Sequence, residues 1–517
     1  MNRHAKIVLL LIVVAAMVIF GGKYAKPLYE DWRQQDTSDA RGTRGTVRIG
    51  MDNWVGYFPL CSDENVRRMR RSGYLLRCED DAADYASRMS RLREGELEMA
   101  VATVDSYVLA GNQEQYPATI VAVLDESKGG DALVARGDRI SSIDDLKSGG
   151  NFLIALTPDS PSEHLLKSIG VHFDIELLRQ QQAAWRVDTD GSEAALELLQ
   201  QGKVDAAVLW EPDVSRALQD PAIQKLLSTE DTEGLIVDIL LVNRRWSESD
   251  PEAVYALLSS YFKTLKFFRD NPDKLRKEIA SHYDIGAAQV EALLDGVEWT
   301  TLSANAQAWF GIARQGGWYG EGLIDAIESA ADILVEHGDF DRSPIPNSDP
   351  YRLTNSQFVA DLFSGGLVSE APGENAGDSL ARSFDALSDQ QWGGLKEVGT
   401  LKIRPIVFQS GSAGLTYEGK QEVDRAAENL RHYPNFRVVV AGHTGLRGDA
   451  EANRTLSQSR AESVARYLRV TYGLAANRVR AEGLGSSDPL VRRPGESDRA
   501  YNYRLPRVEL ALVAEEY

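Results

Sequence analysis

Residues 92–106 read LREGELEMAVATVDS, and residues 199–213 read LQQGKVDAAVLWEPD. Each stretch carries a leucine, then Gly-x-Leu/Val-acid-x-Ala-Val, then a polar loop. Glycine closes a helix well because it enters the left-handed backbone region without a Cβ clash. The short apolar run after it has the length of a buried strand. Turns of the form Gly-x-hydrophobic-acid are common between helix and strand. Here the match also takes in the preceding leucine and the following loop, so the same building block is expected once in each of two lobes.

Working outward, TVRIGMD from Thr46 reads as a strand ending in a turn, and ATIVAVLDES from Ala118 as another. Strands alternating with helices imply a mostly parallel sheet flanked by helices. Residues 251–340 are helix-rich, and Pro251 after Ser249-Asp250 fits a capped helix start. Residues 366–397, rich in Gly, Ser, Asp and Glu, read as a linker. A last domain follows at 398–517.

At 517 residues the chain exceeds what one core supports, and two to four domains are expected. A net charge of -20 excludes a nucleic-acid partner, because phosphates need a basic surface. Residues Ile7 to Gly22 carry no charge, and Arg3, Lys6, Lys23 and Lys26 flank them. Such a run spans about 24 Å as a helix, slightly short of a bilayer core unless lysines snorkel. It reads as a membrane anchor or a cleaved signal peptide; the lack of an A-x-A-like site favours the anchor. Residues 1–26 are therefore assigned to the anchor and 27–45 to a polar tether. Both readings export the remainder, which is expected in the periplasm and held at the inner membrane. Cys61 and Cys78 form either one disulfide or two buried thiols. The seven histidines show no metal-ligand spacing, so no metal and no cofactor are expected.

Ligands in open α/β sheets sit beyond the carboxyl ends of strands. The loops there supply Asp52, Trp54 and Tyr57 in DNWVGYFP (52–59), then Thr103 and Asp105, then Ser127 and Asp131 in DESKGGD (125–131). The second lobe supplies Ser160 and Ser162 in TPDSPSEHLL (157–166), Asp188 in DTDGSEAA (188–195), and Glu211 in WEPD (210–213). The two serines are either anion donors at a helix N-terminus or simple caps. Trp54 is either a cleft wall or core. Glu211 either contacts a ligand or bonds a hinge amide.

In order and spacing, VRIGMDNWVGYFPL, LREGELEMAVAT, DESKGGDALVA, SIDDLKSGG and LQQGKVDAAVLWEPD resemble the type-2 periplasmic solute-binding proteins of the nitrate, sulfonate, taurine and thiamine-precursor group. LKSGGNFLIAL departs from the tighter turn usual there. The resemblance implies an α/β, two-lobed periplasmic-binding-protein fold over 46–365, with lobe 1 at 46–133 and 240–340 and lobe 2 at 134–239. It implies crossovers near 131–138 and 236–243 that close over a small polar ligand. It also implies an ABC permease or a sensor as recipient, and no catalysis. No G-x-S-x-G, His-x-x-x-His or P-loop stands against that last reading.

Residues 438–468, VVVAGHTGLRGDAEANRTLSQSRAESVARYL, together with RAYNYRLPRVELAL from Arg499, resemble the OmpA-like C-terminal peptidoglycan-binding domain. The resemblance implies capture of diaminopimelate, with an acid after His-Thr taking the ammonium and an Arg in LSxxRA taking the carboxylate. Arg460 matches that arginine and Asn453 the preceding asparagine, while Gly445 stands where the acid belongs. Asp449 is a candidate substitute, and Arg507 falls in the terminal motif, where YRLP disturbs the alignment. Three outcomes remain open: weakened wall binding, rescue by Asp449, or a scaffold for another partner. Together these readings describe a membrane-tethered solute-binding protein anchored to peptidoglycan, capturing a small ligand for ABC-type transport or sensing. The alternative is a structural spacer between membrane and wall with an empty cleft.

Overall fold

The computed structural model describes residues 43–148, 150–179, 184–312, 320–367, 384–409, 412–493 and 495–515. The expected anchor, most of the tether and much of the linker lie outside them. Among the described residues, no helix is long and apolar enough to cross a membrane.

The chain first lays down β1 (Gly45–Met51), β2 (Tyr74–Asp80), β3 (Met99–Thr103) and β4 (Ala118–Ser127). It then crosses and builds β5 (Asp131–Arg136), β6 (Ile154–Leu156), β7 (Arg186–Asp188), β8 (Ala206–Trp210) and β9 (Ile223–Ser228). It returns with β10 (Val237–Asn243) and, after a run of helices, β11 (Val297–Trp299). The first sheet has the order β11-β4-β10-β3-β1-β2 and the second β7-β6-β8-β5-β9. Apart from β11, the two orders are the same, with β10 and β5 as the antiparallel strands that join each lobe to the other. The sheets are thus mixed rather than mostly parallel, because each crossing chain must run back against its new neighbours.

The repeated stretch accounts for the equivalence. Gly95 (φ 78°) and Gly202 (φ 64°) each turn the chain out of a helix, and β3 and β8 occupy matching positions. Strands of both sheets are buried on two faces, as layered helices require. In lobe 1, Val101, Leu240 and Val242 pack toward the helix Pro251–Asp270. The alternate residues Ala100, Ala102, Ile239 and Leu241 pack toward the helices Val104–Gln113 and Gly322–His337. Asp250 caps the helix Pro251–Asp270 by accepting from Ala253 N at 3.2 Å.

The crossings fall earlier in the chain than the sequence suggested. Residues 131–136 already form β5 of the second sheet, and 237–243 form β10 of the first. The connecting residues are 128–130 and 229–236. Apolar runs long enough to be strands obscured the short polar joints, which a spacing argument places only loosely. Cys61 and Cys78 are bonded, with Cα atoms 6.2 Å apart, and tie the segment before the helix Asp63–Arg71 to β2.

The last domain is a four-stranded sheet in the order β12-β15-β13-β14, from β12 (Lys396–Leu401), β13 (Arg437–His443), β14 (Val479–Gly485) and β15 (Val508–Ala514). The helices Tyr417–Arg431 and Ala450–Tyr472 supply Val423, Leu430, Val464 and Leu468 to its core. This core does not end at the domain edge. Ile143, Leu146 and Phe173 of lobe 2 belong to the same buried cluster as Tyr433, Val398 and Leu401.

Candidate functional site

Asp238 of β10 lies directly between Thr103 of β3 and Asp125 of β4 in strand register. Two carboxyl groups are therefore neighbours in a layer from which water is excluded: Asp125 is 0% and Asp238 2% exposed. Trp54 Nε1 donates to Asp125 at 2.8 Å, and the Tyr57 hydroxyl donates to Asp238. Gly56 lets the backbone approach, since a Cβ there would overlap the Asp125 carboxyl and the Trp54 indole. Burial pushes Asp125 up to about 7, and burial together with Asp125 pushes Asp238 well above the usual carboxylate range.

Asp52 adjoins this pair. It accepts from Trp54 N (3.1 Å), from the Tyr85 hydroxyl (3.3 Å) and from Arg88 (3.2 Å). Arg88 is fully buried and also bonds Asp81 and the Val101 carbonyl. At the crossing, Ser127 Oγ donates to Asp131 at 2.8 Å, and Thr229 bridges the two crossing segments. Burial raises Asp131 to about 7.

The lobes meet where the helix Val104–Gln113 faces the helix Pro161–His172. Ser106 Oγ reaches the Asp159 carbonyl across the gap at 3.4 Å. Buried polar atoms without partners lie on these two helices: Asp105 Oδ1 from lobe 1, with Ser162 Oγ and His164 Nδ1 from lobe 2. These residues are 5%, 0% and 3% exposed. Buried polar groups are nearly always satisfied, so such a group of orphans marks a place built for something else. Ser160 donates to the Thr157 carbonyl at 2.7 Å, and neither serine caps the helix through its side chain. Burial holds His164 below its ordinary range.

Not every candidate falls in this group. Asp188 is exposed at the end of β7 and pairs with Arg186 at 2.6 Å. Glu211 accepts from Ser215 N (3.1 Å) and Oγ (2.8 Å), while its own N–H donates to the Gly130 carbonyl at 2.8 Å, so it braces the crossing. Trp54 is half-buried and packs with two core clusters as well as holding Asp125. Asp125, Asp238, Arg88 and His164 were not singled out by sequence. Asp238 carried one signal, an acid inside the apolar run VDILLVN.

In the last domain, Asn453 and Arg460 share the helix Ala450–Tyr472, seven positions apart and so on one face. Arg460 lies over the Phe408 ring at 5.0 Å and its Nε approaches the Ser412 carbonyl at 3.5 Å. Among the described residues no carboxylate acts on it, and burial alone lowers its pKa. Asp449 caps this helix, accepting from Ala452 N at 2.9 Å, and Asn453 donates to the Arg447 carbonyl at 3.1 Å. Arg507 bonds Glu509 at 2.6 Å and Asp488 at 3.5 Å. Although burial opposes it, His443 and Arg507 hold Glu509 down at about 2. Gly445, Leu446 and Arg447 line one wall of a groove of about 820 Å³, with Asp498, Asn502 and Tyr503 on the other. A Cβ at Gly445 would meet nothing within 4 Å.

Two lobes of one strand order, with partnerless buried polar atoms on the helices where they meet, have the form of a solute-binding module, here joined to a second α/β domain. Residues 81–291 match the family of the ABC transporter, phosphonate, periplasmic substrate-binding protein, and residues 407–503 match the OmpA family. The chain thus belongs to the OmpA family through its C-terminal domain, and its middle carries the match to the periplasmic substrate-binding family. Outer membrane protein A of Serratia odorifera is 36% identical over 169 residues, covering 31% of this chain and 67% of that protein. The probable lipoprotein YiaD of Escherichia coli is 37% identical over 100 residues, 19% of this chain and 45% of that protein. The peptidoglycan-binding protein ArfA of Mycobacterium tuberculosis is 35% identical over 101 residues, 20% of this chain and 31% of that protein. The chain therefore spans less than half the length of these last two relatives. Among solved structures, a putative periplasmic sulfonate-binding protein SsuA from Methylobacillus flagellatus has a TM-score of 0.48 at 16% identity, covering 65% of this chain and 99% of that one. The two-lobed assignment rests on the strand order and the family match.

Proposed function

We propose that the chain captures a small polar ligand between its lobes while its C-terminal domain holds it at peptidoglycan. The observation that carries this reading is the cluster of partnerless buried polar atoms, Asp105 Oδ1, Ser162 Oγ and His164 Nδ1, where the lobes face each other. The captured ligand passes to an ABC-type permease or its occupancy is reported, and the protein turns nothing over. The apolar run 7–22 tethers the chain to the inner membrane. Arg460 takes the carboxylate of the wall peptide, with Asn453 beside it, and Arg507 and Asp449 keep structural roles. Thermal-shift screening across amino acids, sulfonates, phosphate, nitrate and pyrimidine precursors tests capture. A ligand at 100 times its Kd adds about 2.7 kcal/mol. Retention on purified sacculi that Arg460→Ala abolishes tests the anchor.

A second reading, a spacer between membrane and wall, draws on the continuous core shared by lobe 2 and the last domain. It requires that no ligand class shift the melting temperature.

A further inference from the structure

The ionisable groups around the interlobe layer are lopsided. Lobe 1 contributes Asp52, Asp105, Asp125 and Asp238, the crossing Asp131, and lobe 2 Glu211. Against them stands Arg88, whose guanidinium is already divided among Asp52, Asp81 and a backbone carbonyl. Lys128 is engaged by Glu126 at 2.8 Å and by the Thr232 carbonyl at 2.9 Å.

Lobe 2 does not redress the balance. The helix N-terminus that could receive an anion, at Pro161–His172, already holds one. Glu163 accepts from Asp159 N at 2.7 Å, and its carboxylate is matched by Arg186 at 2.7 Å and Lys167 at 3.3 Å. Lys167 is further tied to Asp339 at 3.0 Å. Burial holds His164 below its ordinary range. An oxyanion entering this layer would meet the unpaired Asp105 oxygen and, among the described residues, no uncommitted cation, which the low-dielectric setting makes costly. An ammonium would meet an unpaired Asp105 oxygen, with Ser162 and His164 free to bond its polar remainder.

We propose that the interlobe site takes a small organic cation, a primary or quaternary ammonium, and that Asp105 is its direct contact. This rests on the capture reading above. The aromatic groups Trp54, Tyr57 and Tyr85 surround the acids and suit such a ligand. The site also has a proton signature. Asp125 faces Asp52, Glu126, Asp238, Tyr57 and Tyr261, and Asp131 faces Asp105, Glu211 and Asp238. Both carboxyl groups hold protons near pH 7 in this setting, and an entering cation favours their release, so affinity rises between pH 6 and pH 8.

The test uses the full chain in melting and titration calorimetry with putrescine, choline, methylphosphonate and taurine. Putrescine or choline raises the melting temperature, binds about tenfold more tightly at pH 8 than at pH 6, and loses about 10- to 150-fold in affinity with Asp105→Asn. Circular dichroism checks folding, and Asp131→Asn serves as a second variant with a loss of at least about fivefold. Stabilisation by methylphosphonate or taurine but by neither cation leaves capture standing and overturns the cation assignment. No shift with any of the four overturns the cation assignment, and capture then stands or falls with the wider ligand screen. Cation affinity unchanged in both variants overturns the placement at Asp105.

Discussion

Lobes 1 and 2 share one strand order but fill the space around it in opposite ways. In lobe 1 the layer at the strand ends is acidic, with Asp125 and Asp238 side by side beneath Trp54 and Tyr57. In lobe 2 the face formed by Ile143, Leu146 and Phe173 is apolar and runs on into the core of the OmpA-family domain. There Tyr433 bonds His172 at 2.7 Å, His432 stacks on His172 at 5.4 Å, and Glu233 N donates to the His432 carbonyl at 3.0 Å. Gly399 is needed at this contact, since a Cβ would come within 2.7 Å of the Phe173 ring. The lesson is that strand order leaves the chemistry of a lobe open. A few polar positions give one lobe an acidic layer, and apolar ones give the other a face that packs on the third domain.

The strongest way to break this comparison is at that packed face. Tyr433→Ala removes a fully buried ring and is expected to lower stability by about 3–5 kcal/mol in urea unfolding. The loss appears in the transition of lobe 2 and the last domain; an unchanged midpoint would separate the two cores. Replacing Cys61 and Cys78 by serine is expected to lower the stability of lobe 1 by about 3 kcal/mol, with lobe 2 unaffected in hydrogen exchange. Equal loss in both lobes would mean that they fold as one unit. Gly445→Asp restores an acid at an open position and is expected to tighten retention on sacculi by about 1.5–3 kcal/mol, or 10- to 150-fold. Unchanged retention removes the missing acid from the explanation.

The smallest effect is in pH. Burial lowers His172 and His432 below their unfolded range, so their contribution is complete above about pH 6.5 and is lost as pH falls below it. Burial raises Asp125 of lobe 1 to about 7, so its contribution is complete at low pH and is lost as pH rises from about 4 through 7. Each proton changes stability by at most about 1.4 kcal/mol per pH unit. Acid is thus expected to loosen the packed face and alkali to loosen lobe 1, read by hydrogen exchange at pH 5 and pH 8. Parallel responses would void the contrast.

Much of the fold was legible because local chemistry dictates it. Gly95 and Gly202 end helices wherever they occur, and the apolar runs after them are strands in either lobe. The loops at the strand ends were legible for the same reason. Asp105 and Ser162 lie buried on the helices where the lobes meet, and Ser127 bonds Asp131 at the crossing, whereas Asp188 stays exposed. Sequence could not pair Asp125 with Asp238, because their strands lie far apart in the chain and meet only through the antiparallel return of β10. Nor could it place the crossings, or reveal that Asp449 is already committed to a helix cap.

By itself the sequence determined two like lobes, since glycine turns and apolar periodicity act within a few residues, and its C-terminal motifs carried the resemblance to an OmpA-like domain with Gly445 where the acid belongs. Only the tertiary structure decided which acids share a dry layer and which lobe carries the third domain. Desolvation and partner choice depend on what lies opposite in space, and no local pattern encodes that.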